Sequence, residues 1–439
     1  MSSSIKRLLR LVKRNPKPPA SALGASATLP SSGITSVDNS QGASAAVAEL
    51  SGALGAVLEQ IDLDGEINSQ IKYLVELLDQ EASQYDNSQL KEEQYIDWSC
   101  TQEQARLISI AWKCAHDTYN LPPRSPLLSH DFQDCTLTQE QIITPSADGA
   151  VKAVTFTSVT PRETSSTSTS LPVLIVAIRG TASRIDHMVN INNQPRDASS
   201  FINNTHFQPN PSPLNASLQA HSGFLESAKS LDQIVRRKIN EYTHQKDGGG
   251  HVLFTGHSAG GAVASLLFLR CLSLEAQDSA RFSCITFGAP PVVSMPLSIP
   301  PFAGVCLNMI NEFDFVTRAD KPYILSLVNL IRLIHDQDPL SSEDADDTES
   351  SSLTTDSTST ENNWPLPPSR YHHVGPKVVF LMRLPDQGGS LQLRVVEVST
   401  PQFEKLLFCR IPVHRRPCYA QRIELLAGGR YNRANGWDS

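Results

Sequence analysis

The residues Gly256-His257-Ser258-Ala259-Gly260, followed by Gly261, set a serine hydroxyl in a G-x-S-x-G pattern. An apolar run at 252–255 precedes the pattern and an apolar stretch at 259–274 follows it, so the spacing predicts a tight strand-to-helix turn, or nucleophile elbow. In such a turn the serine is strained. Side chains at Gly256 or Gly260 would collide with the neighbouring strand and helix. The hydroxyl is lifted clear of the sheet, and a helix N-terminus points at the oxygen that becomes negative when a carbonyl is attacked. A serine hydroxyl is a weak nucleophile; it needs a base, and the base needs an acid to orient it. The expected chain order is serine, acid, histidine.

Asp314 stands just past the apolar run 305–310, where the acid should sit, with Asp320 as the fallback. Four histidines follow it: His335, His372, His373 and His414. His414 lies beyond the last strand-like runs and directly before the C-terminal stretch 418–427, and is the expected base. His372 and His373 come early for that role and read first as a hydrogen-bonded structural pair. His257, inside the elbow, reads as a packing residue. An oxyanion needs two or so donors. One is expected from the backbone N–H of Ala259. The other is expected from Thr181, which follows Arg179-Gly180 at the end of the apolar run 174–178 and offers both an N–H and a hydroxyl. No metal-ligand spacing and no phosphate-cradling glycine loop is present in the sequence, so the expected chemistry uses no cofactor.

These residues need a frame. The runs at 151–159, 174–178, 252–255, 282–287, 305–310, 377–384 and 391–398 read as strands. The 174–178 run is continuously apolar, as in a sheet buried on both faces. Between strands come helical stripes. Ile108, Trp112, Ala115 and Tyr119 form one, ended by Pro122 and Pro123; Phe224, Ala228, Leu231, Val235, Ile239 and Tyr242 form another. Alternation of this kind predicts an α/β fold with a mostly parallel central sheet flanked by helices.

With 40% apolar residues in 439, the chain can bury a full catalytic domain, and its net charge of −8 argues against a nucleic-acid binder. No apolar run approaches the length of a membrane span. Residues 1–50 read as a disordered basic tail: the first 37 hold six Lys or Arg and no acid, with Ile5, Leu8, Leu9, Leu11 and Val12 interleaved. A weak membrane-surface anchor and a mitochondrial-type leader are the other readings. Residues 51–94 read as a helical extension, 95–430 as the catalytic domain and 431–439 as a tail. Nineteen of the 21 residues at 341–361 are Ser, Thr, Asp or Glu, so 339–363 reads as a disordered acidic insert. The eight cysteines form no C-x-x-C pair and, with no export signal read in the sequence, are expected to be mostly free, partly buried thiols in a reducing compartment; an intracellular, cytoplasmic location with peripheral contact with lipid surfaces is expected.

Six blocks, in order, resemble the class 3 lipase family of fungal triacylglycerol lipases and plant acylhydrolases, within the α/β-hydrolase superfamily. They are IVAIRGT from Ile175, HSGFL from His221, TGHSAGG from Thr255, TFGAPP from Thr286, NEFDFVTR from Asn311 and HRRPCY from His414. The resemblance implies Ser258 as nucleophile, Asp314 as acid, His414 as base and Thr181 as oxyanion donor. It also implies a lid at about 182–220 that opens on lipid. The chain departs from the family pattern in carrying Asp186-His187 where a Trp often follows the lid hinge, and in the length and polarity of the lid. The expected function is hydrolysis of acyl esters of lipids, first of tri- or diacylglycerols. A phospholipase A1-type acylhydrolase and a catalytically silent lipase-like interaction scaffold are the alternatives.

Overall fold

The computed structural model describes residues 69–120, 129–132, 135–144, 152–162, 171–180, 194–203, 207, 217–243, 250–274, 280–334, 336, 338, 362–384, 392–432 and 434–435. All of these lie in one unit, residues 40–439. In chain order the helices are α1 (Ser69–Ala82), α2 (Gln102–Asp117), α3 (Ser222–Thr243), α4 (Ala259–Leu274), α5 (Lys321–Ile334), the single turn α6 (Thr400–Phe403) and α7 (Arg416–Ala427). The strands are β1 (Ile96–Asp97), β2 (Ser129–Phe132), β3 (Cys135–Ile143), β4 (Val154–Pro161), β5 (Leu174–Ile178), β6 (Pro195–Asp197), β7 (Gln219–His221), β8 (His251–His257), β9 (Arg281–Phe287), β10 (Cys306–Asn311), β11 (Lys377–Leu384), β12 (Gln392–Ser399), β13 (Arg430–Tyr431) and β14 (Ala434–Asn435).

Ten strands make one sheet in the order β1-β12-β11-β10-β9-β8-β5-β4-β3-β2. Its centre, β5-β8-β9-β10-β11, is parallel throughout. The flanking pairs on either side are antiparallel. This is an α/β-hydrolase fold. The chain steps from β5 through α3 to β8, then through α4 to β9, always toward the same edge, with both helices on one face. That is the arrangement right-handed crossovers produce.

Period-2 alternation along the parallel strands explains why helices cover both faces. On one face Leu174, Val176, Ile178, Val252 and Phe254 pack on α3 and α4. On the other, Ile175, Ala177, Leu253, Ile285 and Phe287 pack on Ile108, Ala111 and Trp112 of α2 and on Tyr419 and Ile423 of α7. Each fully buried Val, Leu, Ile or Phe among them contributes about 1.5–3 kcal/mol relative to exposure. α4 is buried almost all round, because it lies between the sheet and α3. The helix expected from the Ile108 stripe begins at a capping box: the Thr101 hydroxyl accepts from Gln104 N–H while the Gln104 amide accepts from Thr101 N–H.

Several described elements are not among the expectations from sequence, β2, β3 and α5 foremost. Strands β2 and β3 extend the sheet beyond β4, but Cys135-Thr-Leu-Thr-Gln-Glu-Gln carries too few apolar residues to stand out, since only one face is covered. Helix α5 packs against α1 in a separate small cluster formed by Leu78, Tyr323, Leu327 and Leu330. The residues at 1–50, the greater part of the lid at 182–220 and the acidic stretch 339–361 lie outside the described residues. All eight cysteines are free, six of them buried. Among the described residues no helix is long and apolar enough to cross a membrane.

Candidate active site

Ser258 sits between β8 and α4 with φ at 58°, in the left-handed region that non-glycine residues seldom adopt. Such a conformation costs about 1–3 kcal/mol and persists only when its surroundings over-determine it. Here the Ser258 N–H donates to Phe287 O at 2.9 Å, and Ser258 O accepts from Gly261 N–H at 2.9 Å. The two elbow glycines are dictated by closeness. A Cβ on Gly256 would lie 2.4 Å from the carbonyl carbon of Gly260, and one on Gly260 would lie 2.1 Å from Ile178 O. Both distances are far inside van der Waals contact with backbone that cannot move aside. Ala259 opens α4, and the first N–H groups of a helix have no intrahelical acceptor.

The structure brings Ser258, His414 and Asp314 together. Ser258 Oγ and His414 Nε2 are 2.9 Å apart; His414 Nδ1 lies 2.9 Å from Asp314 Oδ2 and 3.1 Å from Oδ1. A carboxylate only accepts, so Nδ1 carries the imidazole proton, Nε2 offers its lone pair, and Ser258 O–H donates to it. Burial is deep: Asp314 is 0%, His414 1% and Ser258 8% exposed. In so dry a place the ring cannot trade its partners for water, which holds the tautomer.

Asp314 leaves β10 through Phe313, itself at φ 69°, and caps the 3-10 turn Phe315–Arg318 by accepting from Val316 N–H at 3.0 Å. Its Oδ2 also accepts the Tyr419 hydroxyl at 2.7 Å. That hydroxyl accepts in turn from Asn311 N–H at 3.0 Å. Three donors on a buried carboxylate satisfy it as a charge-assisted acceptor. The neighbourhood of His414 is tied down as well. Asn311 Nδ2 donates to Val413 O at 2.7 Å, and His257 Nε2 lies 3.0 Å from His414 O.

The remaining sequence expectations fall elsewhere. Thr181 lies outside the described residues. Its predecessor Gly180 is beside the elbow, since a Cβ there would meet Ser258 Cβ at 3.3 Å and His257 O at 2.7 Å. Asp320, the fallback acid, opens α5 and accepts from Tyr323 N–H and Arg370 N–H. His373 donates from Nε2 to Thr317 O at 2.9 Å, and burial pushes its pKa down to about 4. His372 contacts Glu404 at 2.5 Å. Neither has a hydrogen bond to Ser258 or Asp314. His335 lies outside the described residues. His257 is wholly buried, as a packing residue should be, but it also makes two hydrogen bonds. Tyr119, Asn311 and the hydroxyl of Tyr419 were not singled out for roles at the site. The only signal for Tyr419 was its place five residues after His414.

Among the described residues no group of three or more His, Cys, Asp or Glu is arranged to hold a metal ion. A groove of about 870 Å³ bounded by Asn87, Trp364 and Lys405 shares no residue with the Ser258 cluster. What the cluster itself can do is nucleophilic: a serine hydroxyl, an imidazole whose Nε2 lone pair already accepts its proton, and a carboxylate placed to steady that imidazole once it is charged.

Residues 175–323 match the family model described as Lipase (class 3). No curated protein matches the chain. Several solved structures are similar to it. The lipase of Rhizopus microsporus var. chinensis is 14% identical, with 76% of this chain and 95% of that one covered and a TM-score of 0.39. The triacylglyceride lipase of Rhizomucor miehei is 15% identical, with 76% and 86% covered and a TM-score of 0.33. The Lip2 lipase of Yarrowia lipolytica is 14% identical, with 51% and 77% covered and a TM-score of 0.36. The matched stretch contains Ser258 and Asp314 and stops short of His414, which the tertiary structure supplies. Over residues 175–323, therefore, this chain is similar to the class 3 lipase family.

Proposed function

We propose that the protein is a serine carboxylic-ester hydrolase that cleaves acyl esters of lipids through an acyl-enzyme. The observation that carries this reading is the unbroken chain Ser258 Oγ, His414, Asp314, with both links at 2.9 Å and the imidazole tautomer set by the buried carboxylate. His414 Nε2 takes the hydroxyl proton as Ser258 Oγ attacks the ester carbonyl carbon. Asp314 stabilises the imidazolium that results. The oxyanion is met by Ala259 N–H and by Thr181. His414 then gives its proton to the leaving alcohol, and water repeats the sequence on the acyl-enzyme.

The substrates proposed first are tri- and diacylglycerols, met at a lipid or membrane surface by an intracellular protein. The match of residues 175–323 to the class 3 lipase model supports lipase-type ester hydrolysis. The test is a panel of tri-, di- and monoacylglycerols and phospholipids, run on the wild-type protein and on Ser258→Ala, with a fluorophosphonate label as a second readout. Ser258→Ala is expected to fold normally, to lose the label and to lower kcat by about 10⁴-fold or more. Undiminished turnover in that variant ends the proposal. Faster cleavage of phospholipids than of acylglycerols moves the enzyme to the phospholipase A1 type. A wild-type protein that neither takes the label nor turns over any member of the panel is the silent scaffold.

A further inference from the structure

His257 is named by the elbow pattern, yet no step of the proposed reaction uses it. It is fully buried, and its ring is stacked on that of His414 with centroids 4.7 Å apart and planes 28° apart. Nε2 lies 3.0 Å from His414 O; because a carbonyl oxygen only accepts, Nε2 carries the proton and donates. Nδ1 is thereby left as an acceptor, and the Tyr119 hydroxyl, 3.1 Å away, donates to it. Tyr119 lies just past the end of α2, and the Arg416 guanidinium sits 4.3 Å over its ring. Arg416 is two residues beyond His414. The chain around the base is thus gripped at two points, His414 O by His257 and the Arg416 guanidinium by Tyr119, while Tyr119 and His257 are bonded to each other.

We propose that His257, held in one tautomer by Tyr119, is a positioning residue that fixes the main chain of the base and aims the His414 ring at Ser258. The inference rests on the hydrolase reading above. Its logic is geometric: proton transfer requires Nε2 within hydrogen-bond reach of Oγ, and a shift of about 1 Å in a reacting group costs about 100-fold. The stacked geometry also demands that His257 stay uncharged while His414 becomes an imidazolium. The groups that face it bear this out. Burial first, then the charge of His414, and more weakly Arg416 and His116, hold His257 well below the ordinary histidine range, against the opposing pull of its hydrogen bond to His414 O; the neutral rings of Trp112, Tyr119 and Tyr419 pack at steep angles to it.

The test compares three variants of the full-length protein on a soluble short-chain ester, with kcat and KM measured separately. His257→Leu removes the donor while keeping bulk and is expected to lower kcat about 10- to 100-fold, with KM changed less than about twofold. His257→Gln can still donate to His414 O and is expected to recover most of that loss. Tyr119→Phe, the mildest change, keeps the ring under Arg416 and is expected to lower kcat about 3- to 10-fold. A wild-type kcat in His257→Leu, or equal losses in the Leu and Gln variants, overturns the inference. Should His257→Leu fail to fold, His257→Gln and Tyr119→Phe decide: a loss confined to kcat in Tyr119→Phe supports the clamp, and unchanged kcat in Tyr119→Phe overturns it. Ser258→Ala run alongside separates the two readings. If it keeps activity, the hydrolase reading itself falls; if it is inactive while the His257 and Tyr119 variants behave as wild type, only the clamp falls.

Discussion

The two sides of the site are built in different ways. On the serine side, backbone does the positioning: β8, the elbow and α4 are continuous in sequence, and the turn is closed by main-chain hydrogen bonds and by glycines packed on main chain. On the acid and base side, side chains from distant parts of the chain do it. Tyr419 holds Asp314, Asn311 holds Val413 O, and His257 holds His414 O. Farther out, Asp79 of α1 meets Arg410 at 2.9 Å, and Arg410 lies over the Phe313 ring and pairs by a β-bridge with Asp314. The contrast teaches that a strained serine can be specified locally, whereas a histidine in a loop needs a network to hold it still. The serine side should therefore tolerate almost no added volume. The other side should lose function in graded steps.

The largest effect tests the first half of that statement. Gly260→Ala forces a Cβ to within 2.1 Å of Ile178 O, so β5 and α4 must separate. It is expected to destabilise by about 3 kcal/mol or more and to abolish turnover, read by thermal melting and ester hydrolysis. Near-normal activity in this variant would break the comparison outright. Next comes Tyr419→Phe, which takes one donor from the buried Asp314 and an acceptor from Asn311 N–H. The expected cost is about 1–3 kcal/mol of stability with a roughly tenfold drop in kcat, a partial loss where Gly260→Ala gives a total one.

Glu312 sharpens the same contrast through pH. It lies two residues before Asp314, is nearly buried, and has its pKa raised by burial from 4.5 to about 7, with Arg422 and Arg410 opposing the rise. The folded state therefore binds this proton more tightly than the unfolded chain does. The associated stability is fully present below pH 4.5 and is lost as the pH rises through about 7. Glu312→Gln should become more stable relative to wild type between pH 5 and pH 8, by on the order of 1–3 kcal/mol, measured by denaturant melts at both values. A difference independent of pH removes Glu312 from the account of this loop. The smallest effect is expected for Asp79→Ala. Its ion pair with Arg410 is about a third exposed on both sides, so about 0.2–1 kcal/mol is at stake, with kcat almost unchanged. A large loss of kcat there would extend the network to α1.

Where constraints are local, the residues disclosed them. Leu174–Ile178 and Ala259–Leu274 have the ends that the apolar runs indicated, because a strand buried on both faces and a helix buried all round leave uninterrupted apolar sequence. The α2 stripe is plain for a similar reason: Trp112 and its partners recur at helical spacing on the covered face. The polar strands β2 and β3, at and next to the sheet edge, are harder to see, because strands with only one covered face need little apolar pattern.

By itself the sequence determined the elbow, the order of serine, acid and histidine along the chain, and the α/β alternation that carries them. These follow from backbone sterics and from side-chain periodicity, both of which act over a few residues. Only the tertiary structure decided that His414 and not His372 or His373 meets Ser258, that Asp320 serves a helix end, and that Tyr119, His257, Asn311 and Tyr419 form a hydrogen-bond network around His414 and Asp314. Hydrogen bonds between residues 100 or more positions apart exist only once the sheet has brought β8, β10 and the C-terminal helix to a common edge, so no local pattern announces them.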